Sequence, residues 1–138
     1  MKIKLIDYGW HSPSRKHLND ARADVYSDAK YEFKPGDVLK IPLGFGIALP
    51  DGYMGLVMPR SSMAVKGLTA EITPVDSGYT GEINAIITNN SSFNRTIEEG
   101  DRIAQLVIVP IIIPDFIEED EFNSEEKRGS NGFGSTGE

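Results

Sequence analysis

An all-β fold, a jelly-roll-like barrel or sandwich with one short helix, is the class this sequence predicts, and three observations predict it. Turn-forming clusters punctuate the chain at short intervals: KPGD (34–37), LPDG (49–52), DSGY (76–79), NNSS (89–92) and EEGD (98–101). Apolar segments rich in β-branched residues fill the gaps between them, as in chains of many short strands. No long stretch spaces its apolar residues with the 3.6-residue period of a helix.

Taken in order, strands are expected over 38–43, 45–49, 53–58, 82–88 and 102–109. Val107 to Val109 and Ile111 to Ile113 form one apolar run interrupted by Pro110. A continuous run predicts a strand buried on both faces, and the proline predicts an edge or a crossing between sheets. One short helix is expected over 62–66, with Ser61 as its N-cap and Gly67 placed to stop it. The last 16 residues, NSEEKRGSNGFGSTGE, hold four glycines and a single large apolar side chain, Phe133. They cannot bury enough surface to fold alone, so the chain divides into a β-domain, 1–122, and a flexible glycine-rich C-terminal arm, 123–138.

A chain of 138 residues is expected to form one domain. It has no cysteine, which removes disulfides and thiolate metal sites, and its two histidines, His11 and His17, cannot assemble a zinc set. No apolar run approaches the ~20 residues of a membrane span, and the opening MKIKLIDYGW lacks the pattern of a signal peptide. A soluble, cytoplasmic protein with no membrane partner is the expectation. The net charge of −7 is unevenly spread: residues 115–126 carry seven of the 21 acids and no base, which leaves the remainder in balance with its 14 Lys and Arg. Nucleic acid is not an expected partner, but local basic sites for a small anionic substrate are compatible with this distribution.

Four segments could carry chemistry. In the tail, Gly129 and Gly134 are spaced like the outer glycines of a phosphate loop, yet the lysine, the preceding strand and the following helix of such a loop are missing. What remains is Arg128, several backbone N–H groups, the hydroxyls of Ser135 and Thr136 and the Phe133 ring, a set suited to clamping an anion and a base. In MPRSSMAVKG (58–67), Arg60 and Ser61 stand just before the short helix, where free N–H groups favour phosphate; a plain helix cap with a surface arginine reads the same way. In PVDSGYTGEI (74–83), Asp76 takes the first position of a β-turn and Tyr79 a strand face, which by themselves need no function. In EGDRIAQLVIVP (99–110), Gln105 is a polar residue among apolar ones and needs partners if buried.

In this order and spacing the segments resemble the trimeric dUTPase (deoxyuridine triphosphate nucleotidohydrolase) family. Its five motifs are matched by ARADVYSDA (21–29), PRSSMAVKG (59–67), VDSGYTGEI (75–83), GDRIAQLV (100–107) and RGSNGFGSTG (128–137). The first motif departs from the usual Gly, aromatic or aliphatic residue, Asp, Leu, reading Arg22-Ala23-Asp24-Val25, and Thr73-Pro74-Val75 replaces the usual Gly-Val-Ile before Asp76.

The resemblance implies hydrolysis of dUTP to dUMP and pyrophosphate by water attack on the α-phosphorus, which keeps uracil out of DNA and supplies dUMP for dTMP synthesis. It implies that Asp76 is the general base. Arg60, Ser61 and Ser62 would hold the phosphates from a neighbouring subunit, and Gln105 would contact them from a third side. Mg²⁺ would ride on the triphosphate, with Asp24 reaching it through a water. Tyr79 would lie under the deoxyribose and exclude UTP. The hairpin leading into Asp76 would read uracil with its main chain. Phe133 would stack on the base, while Arg128, Gly134, Ser135 and Thr136 grip the outer phosphates as the arm closes. Such a site implies a homotrimer. Two other readings stay open on the same fold: a dCTP deaminase-type enzyme, and a nucleotide-gated regulatory protein that binds a partner.

Overall fold

Between the turn signals the chain extends, and its extended segments pair antiparallel throughout. The computed structural model describes residues 1–9 and 11–127. In chain order the elements are β1 (Lys4–Asp7), β2 (Arg22–Tyr26), β3 (Tyr31–Phe33), β4 (Val38–Pro42), β5 (Phe45–Ala48), β6 (Tyr53–Pro59) and helix α1 (Ser61–Val65). They continue with β7 (Leu68–Ala70), β8 (Thr73–Val75), β9 (Asn84–Asn89), β10 (Arg95–Ile97), β11 (Arg102–Pro110) and a 3-10 turn, Ser124–Glu126. The strands form a four-stranded sheet ordered β2-β11-β6-β8, a three-stranded sheet ordered β4-β9-β7, and two-stranded pairs β1-β5 and β3-β10. This is the all-β, jelly-roll-like architecture expected. Among the described residues no helix is long and apolar enough to cross a membrane.

The core lies between the sheets, filled by the inward residues of each strand. Val25, Phe33, Ile41, Phe45, Val57, Ile87, Ile97 and Ile103 are all buried. Strand β9 shows the alternation plainly, with Ala85, Ile87 and Asn89 turned inward. Asn89 is polar and fully buried, and the fold satisfies it. Its amide nitrogen donates to the carbonyls of Phe33 and Phe93 at 3.2 and 2.8 Å, and its oxygen accepts from the backbone N–H and hydroxyl of Ser91 at 3.0 and 2.7 Å. A buried amide with both ends paired ties the 90–94 loop to β3. Nearby, the Tyr31 hydroxyl donates to Asp28 at 2.6 Å, and burial together with that carboxylate pushes the phenol up to about 12.

Two local expectations need correction. The helix begins one residue earlier than expected: its N-cap is Arg60, in extended conformation, and Ser61 is already helical with no side-chain cap bond. Gly67 does end it, at φ +79°, where an added Cβ would lie 2.8 Å from that of Ser91. The run after Pro110 does not continue the buried strand. Ile112 and Ile113 are 89 % and 73 % exposed, and Phe116, Ile117 and Phe122 stand out equally far, so this stretch presents an apolar surface alongside its acidic residues.

Candidate active site

Strand register brings the first cluster together. Asp24 on β2 lies directly across from Gln105 on β11, and β11 in turn aligns Ala104 with Pro59, the residue before Arg60. The pairing of β11 with β2 slips between Arg102 and Ala104. Such a bulge inserts one residue and resets the alternation of faces. Ile103 and Ala104 are consequently both buried, and Arg102 and Gln105, three apart and otherwise on opposite faces, both reach Asp24.

The result is a carboxylate enclosed by donors. One oxygen of Asp24 (Oδ1) accepts from Arg60 Nε at 3.1 Å and from Gln105 Nε2 at 3.2 Å, and the other lies 3.8 Å from Arg102 Nη1. The Asp24 side chain is 13 % exposed and that of Arg60 22 %, so this pair is screened far less than a surface ion pair. Arg60 also donates through Nη1 to the Ser62 hydroxyl at 2.7 Å and to the Arg102 carbonyl at 3.5 Å. Its Nη2 has no protein partner among the described residues. Ser61 and Ser62 begin the helix, and the first intrahelical bonds come only from Met63 and Ala64 to the Arg60 carbonyl. The two serine N–H groups therefore stay available to an anion. Ser14, bridged to the Asp24 backbone, holds the N-terminal segment against β2.

The second cluster is built on the far edge of the same sheet. β8 leads straight into Asp76, and the Tyr79 N–H donates to the Asp76 carbonyl at 3.0 Å, closing the expected turn. An open cavity of about 280 Å³ follows, lined by Thr73, Pro74, Val75, Asp76, Tyr79 and Asn84, with Lys40, Ile83 and Ile86 behind. Its size suits a small ligand. The Asp76 side chain makes no hydrogen bond or ion pair with any described residue. The Tyr79 hydroxyl donates to the Glu82 carbonyl at 2.7 Å, which fixes the ring along one wall.

The two clusters are far apart within one chain. Three strand spacings separate β2 from β8, roughly 14 Å, and the register from Met58 to Gly55 adds roughly 10 Å along the strands. Arg60, Ser61, Ser62, Gln105 and Asp24 thus gather on one side, and Asp76 and Tyr79 on the other. Arg128, Phe133, Gly134, Ser135 and Thr136 lie outside the described residues. Among the described residues no group of three or more His, Cys, Asp or Glu could hold a metal ion.

The family model for dUTPase matches residues 9–137. The chain belongs to the dUTPase family. A deoxyuridine 5'-triphosphate nucleotidohydrolase of Mycolicibacterium gilvum is 41 % identical to it over 145 residues, covering 99 % of this chain and 94 % of that relative. Among solved structures, the Staphylococcus bacteriophage 80alpha dUTPase with dUPNHPP superposes with a TM-score of 0.92 at 30 % identity, covering 99 % of this chain and 98 % of the other. A variant of the dUTPase from phage phi11 of S. aureus, described with a structural Mg(II) ion, gives 0.84 at 27 % identity over 88 % of this chain and 99 % of the other.

Against the dUTPase motifs, reading the sequence missed Arg102, the third donor around Asp24, although it lies inside the fourth motif. It also missed Glu82 and Asn84. Glu82 accepts from the Gly44 N–H at 3.0 Å and from Tyr79 through its carbonyl, and Asn84 donates to that same carbonyl at 3.2 Å. A signal existed for Glu82: a charged residue entering an apolar strand needs a partner.

Proposed function

We propose that this chain hydrolyses dUTP to dUMP and pyrophosphate in a homotrimer whose active sites combine side chains from different copies. The observation that carries the reading is the Asp76 carboxylate, without a partner among the described residues, at the edge of a nucleoside-sized cavity whose wall is Tyr79. A free carboxylate beside a bound α-phosphate can orient a water and take its proton. The water oxygen bonds to the α-phosphorus, the bond from that phosphorus to the bridging oxygen breaks, and pyrophosphate leaves with the electron pair.

The rest of the chain binds and orients. Tyr79 lies against the deoxyribose, where a 2′-hydroxyl would not fit. Pro74 has no N–H to offer, so on the free edge of β8 it can meet the uracil through its carbonyl alone. The phosphates are held by Arg60 through its unpaired Nη2, by the N–H groups of Ser61 and Ser62, and by Gln105, with Asp24 fixing the two long side chains. Arg60 stands too far from Asp76 of its own chain to share a phosphate with it, which supports a site completed by a second copy. The exposed Ile112, Ile113, Phe116, Ile117 and Phe122 supply apolar surface for that assembly. From 123 onward the arm closes over the nucleotide: Phe133 stacks on the base, and Arg128, Gly134, Ser135 and Thr136 grip the outer phosphates.

Magnesium fits this site as an ion carried by the substrate. Asp24 is surrounded by Arg60, Gln105 and Arg102, a setting that disfavours direct ligation and suits contact through a water. When bound, Mg²⁺ neutralises charge on the triphosphate oxygens. The short loops 90–94 and 98–101 that join β9, β10 and β11 leave no room for an inserted segment, which speaks against the regulatory reading. A nucleotide panel tests the proposal: pyrophosphate release from dUTP is expected to exceed that from dTTP, dCTP and UTP by at least about 10²-fold in kcat/KM. Comparable turnover of dCTP with release of ammonia would replace it with the deaminase.

A further inference from the structure

We infer that Gly81 is a positioning residue for sugar selection: its bare Cα seats the Tyr79 ring, so that Tyr79 can exclude a ribonucleotide. The inference rests on the reading of Tyr79 as the wall against the deoxyribose. A Cβ built on Gly81 would lie 2.9 Å from the Tyr79 hydroxyl oxygen, 3.0 Å from Cζ and 3.3 Å from Cε2. No side chain larger than hydrogen coexists with the ring in this place. The ring lies folded back over residue 81 and is anchored by its hydroxyl on the next carbonyl, that of Glu82, at 2.7 Å.

The backbone beneath the ring cannot retreat to make room. On its other side it presses against β5, where a Cβ on Gly46 would meet the carbonyl oxygens of Gly81 and Thr80 at 2.8 and 2.9 Å. Four bonds pin the same stretch. The Tyr8 hydroxyl donates to the Thr80 carbonyl at 3.2 Å, and the Gly44 N–H to the Glu82 carboxylate at 3.0 Å. Ile83 exchanges backbone bonds with Phe45 and Leu43, each at 2.9 Å. Gly81 is not in the left-handed region, so alanine brings no backbone strain of its own. The yielding part is the Tyr79 ring, the end of a side chain on an exposed turn. Its displacement breaks the bond to Glu82 and opens the wall that a 2′-hydroxyl would strike. Misplacement near 1 Å at a reacting site can cost about 10²-fold in rate.

The test compares kcat/KM for dUTP and UTP in the full-length chain, its Gly81→Ala and Tyr79→Ala variants and the double variant. Gly81→Ala is expected to fold and to lower the dUTP preference about tenfold or more. Tyr79→Ala is expected to lower it further, and adding Gly81→Ala to it to change the preference by less than about twofold, because one residue acts through the other. If Tyr79→Ala relaxes selection while Gly81→Ala does not, or if their effects add, the seat is wrong and the sugar wall stands. If Tyr79→Ala leaves selection intact, the sugar wall falls and the seat with it. A Gly81→Ala chain that does not fold shows the backbone yielding in place of the ring, and overturns the inference.

Discussion

Asp24 and Asp76 are carboxylates set at opposite edges of one four-stranded sheet, and the fold treats them differently. Asp24 sits inside β2, largely buried, with Arg60 and Gln105 on one oxygen and Arg102 near the other. Asp76 sits just beyond the end of β8, exposed, and is itself tied into its turn through its backbone, its carbonyl accepting from the Tyr79 N–H. A carboxylate enclosed by donors orders long cationic and amide side chains, and removing one member leaves the others unpaired. A carboxylate without protein partners keeps its lone pairs for water. On the proposed reading the sheet separates gripping the phosphates from activating the nucleophile, and the distance between its edges calls for more than one copy to unite them.

Asp76→Asn is the strongest way to break this comparison. It keeps size and turn geometry but removes the base, and pyrophosphate release at saturating dUTP is expected to fall by about 10³-fold or more. Retained turnover would take Asp76 out of the chemistry. Ending the chain at Lys127 comes next: assembly measured by light scattering is expected to survive while turnover drops about 10²-fold, and normal turnover would dismiss the closing arm. Asp24→Asn should have the smallest effect. It weakens the hold on Arg60 without removing any group from the phosphates, so KM for dUTP is expected to rise about tenfold with a lesser change in kcat. A fall in kcat as deep as that of Asp76→Asn would erase the distinction between the two edges.

The turn chemistry made the long strands legible, because Gly, Pro and Asp at 34–37, 49–52 and 98–101 mark their ends. β3, β7, β8 and β10 were not legible, since three residues give no measurable alternation. β2 escaped for another reason: its inward residues are only Ala23 and Val25, between charged neighbours. Ile111 to Ile113 misled because hydropathy marks a segment as apolar without fixing whether its own fold buries it, and Ile112 and Ile113 stand exposed. In the site, Asp76 and Tyr79 were named through the resemblance to the third dUTPase motif, since a turn with Asp in its first position needs no function by itself. The Arg102 contact could not be named, because it depends on a bulge in β11 and on pairing with a strand some 80 residues away.

The most direct measurement is the dissociation constant of dUTP for Asp76→Asn, taken by calorimetry on the full-length chain. If binding and chemistry belong to different carboxylates, that constant stays within about threefold of the value for a non-hydrolysable dUTP analogue on the unaltered chain, less than 1 kcal/mol. A loss of affinity as large as the loss of turnover would contradict it, because Asp76 would then be holding the nucleotide as well as attacking it.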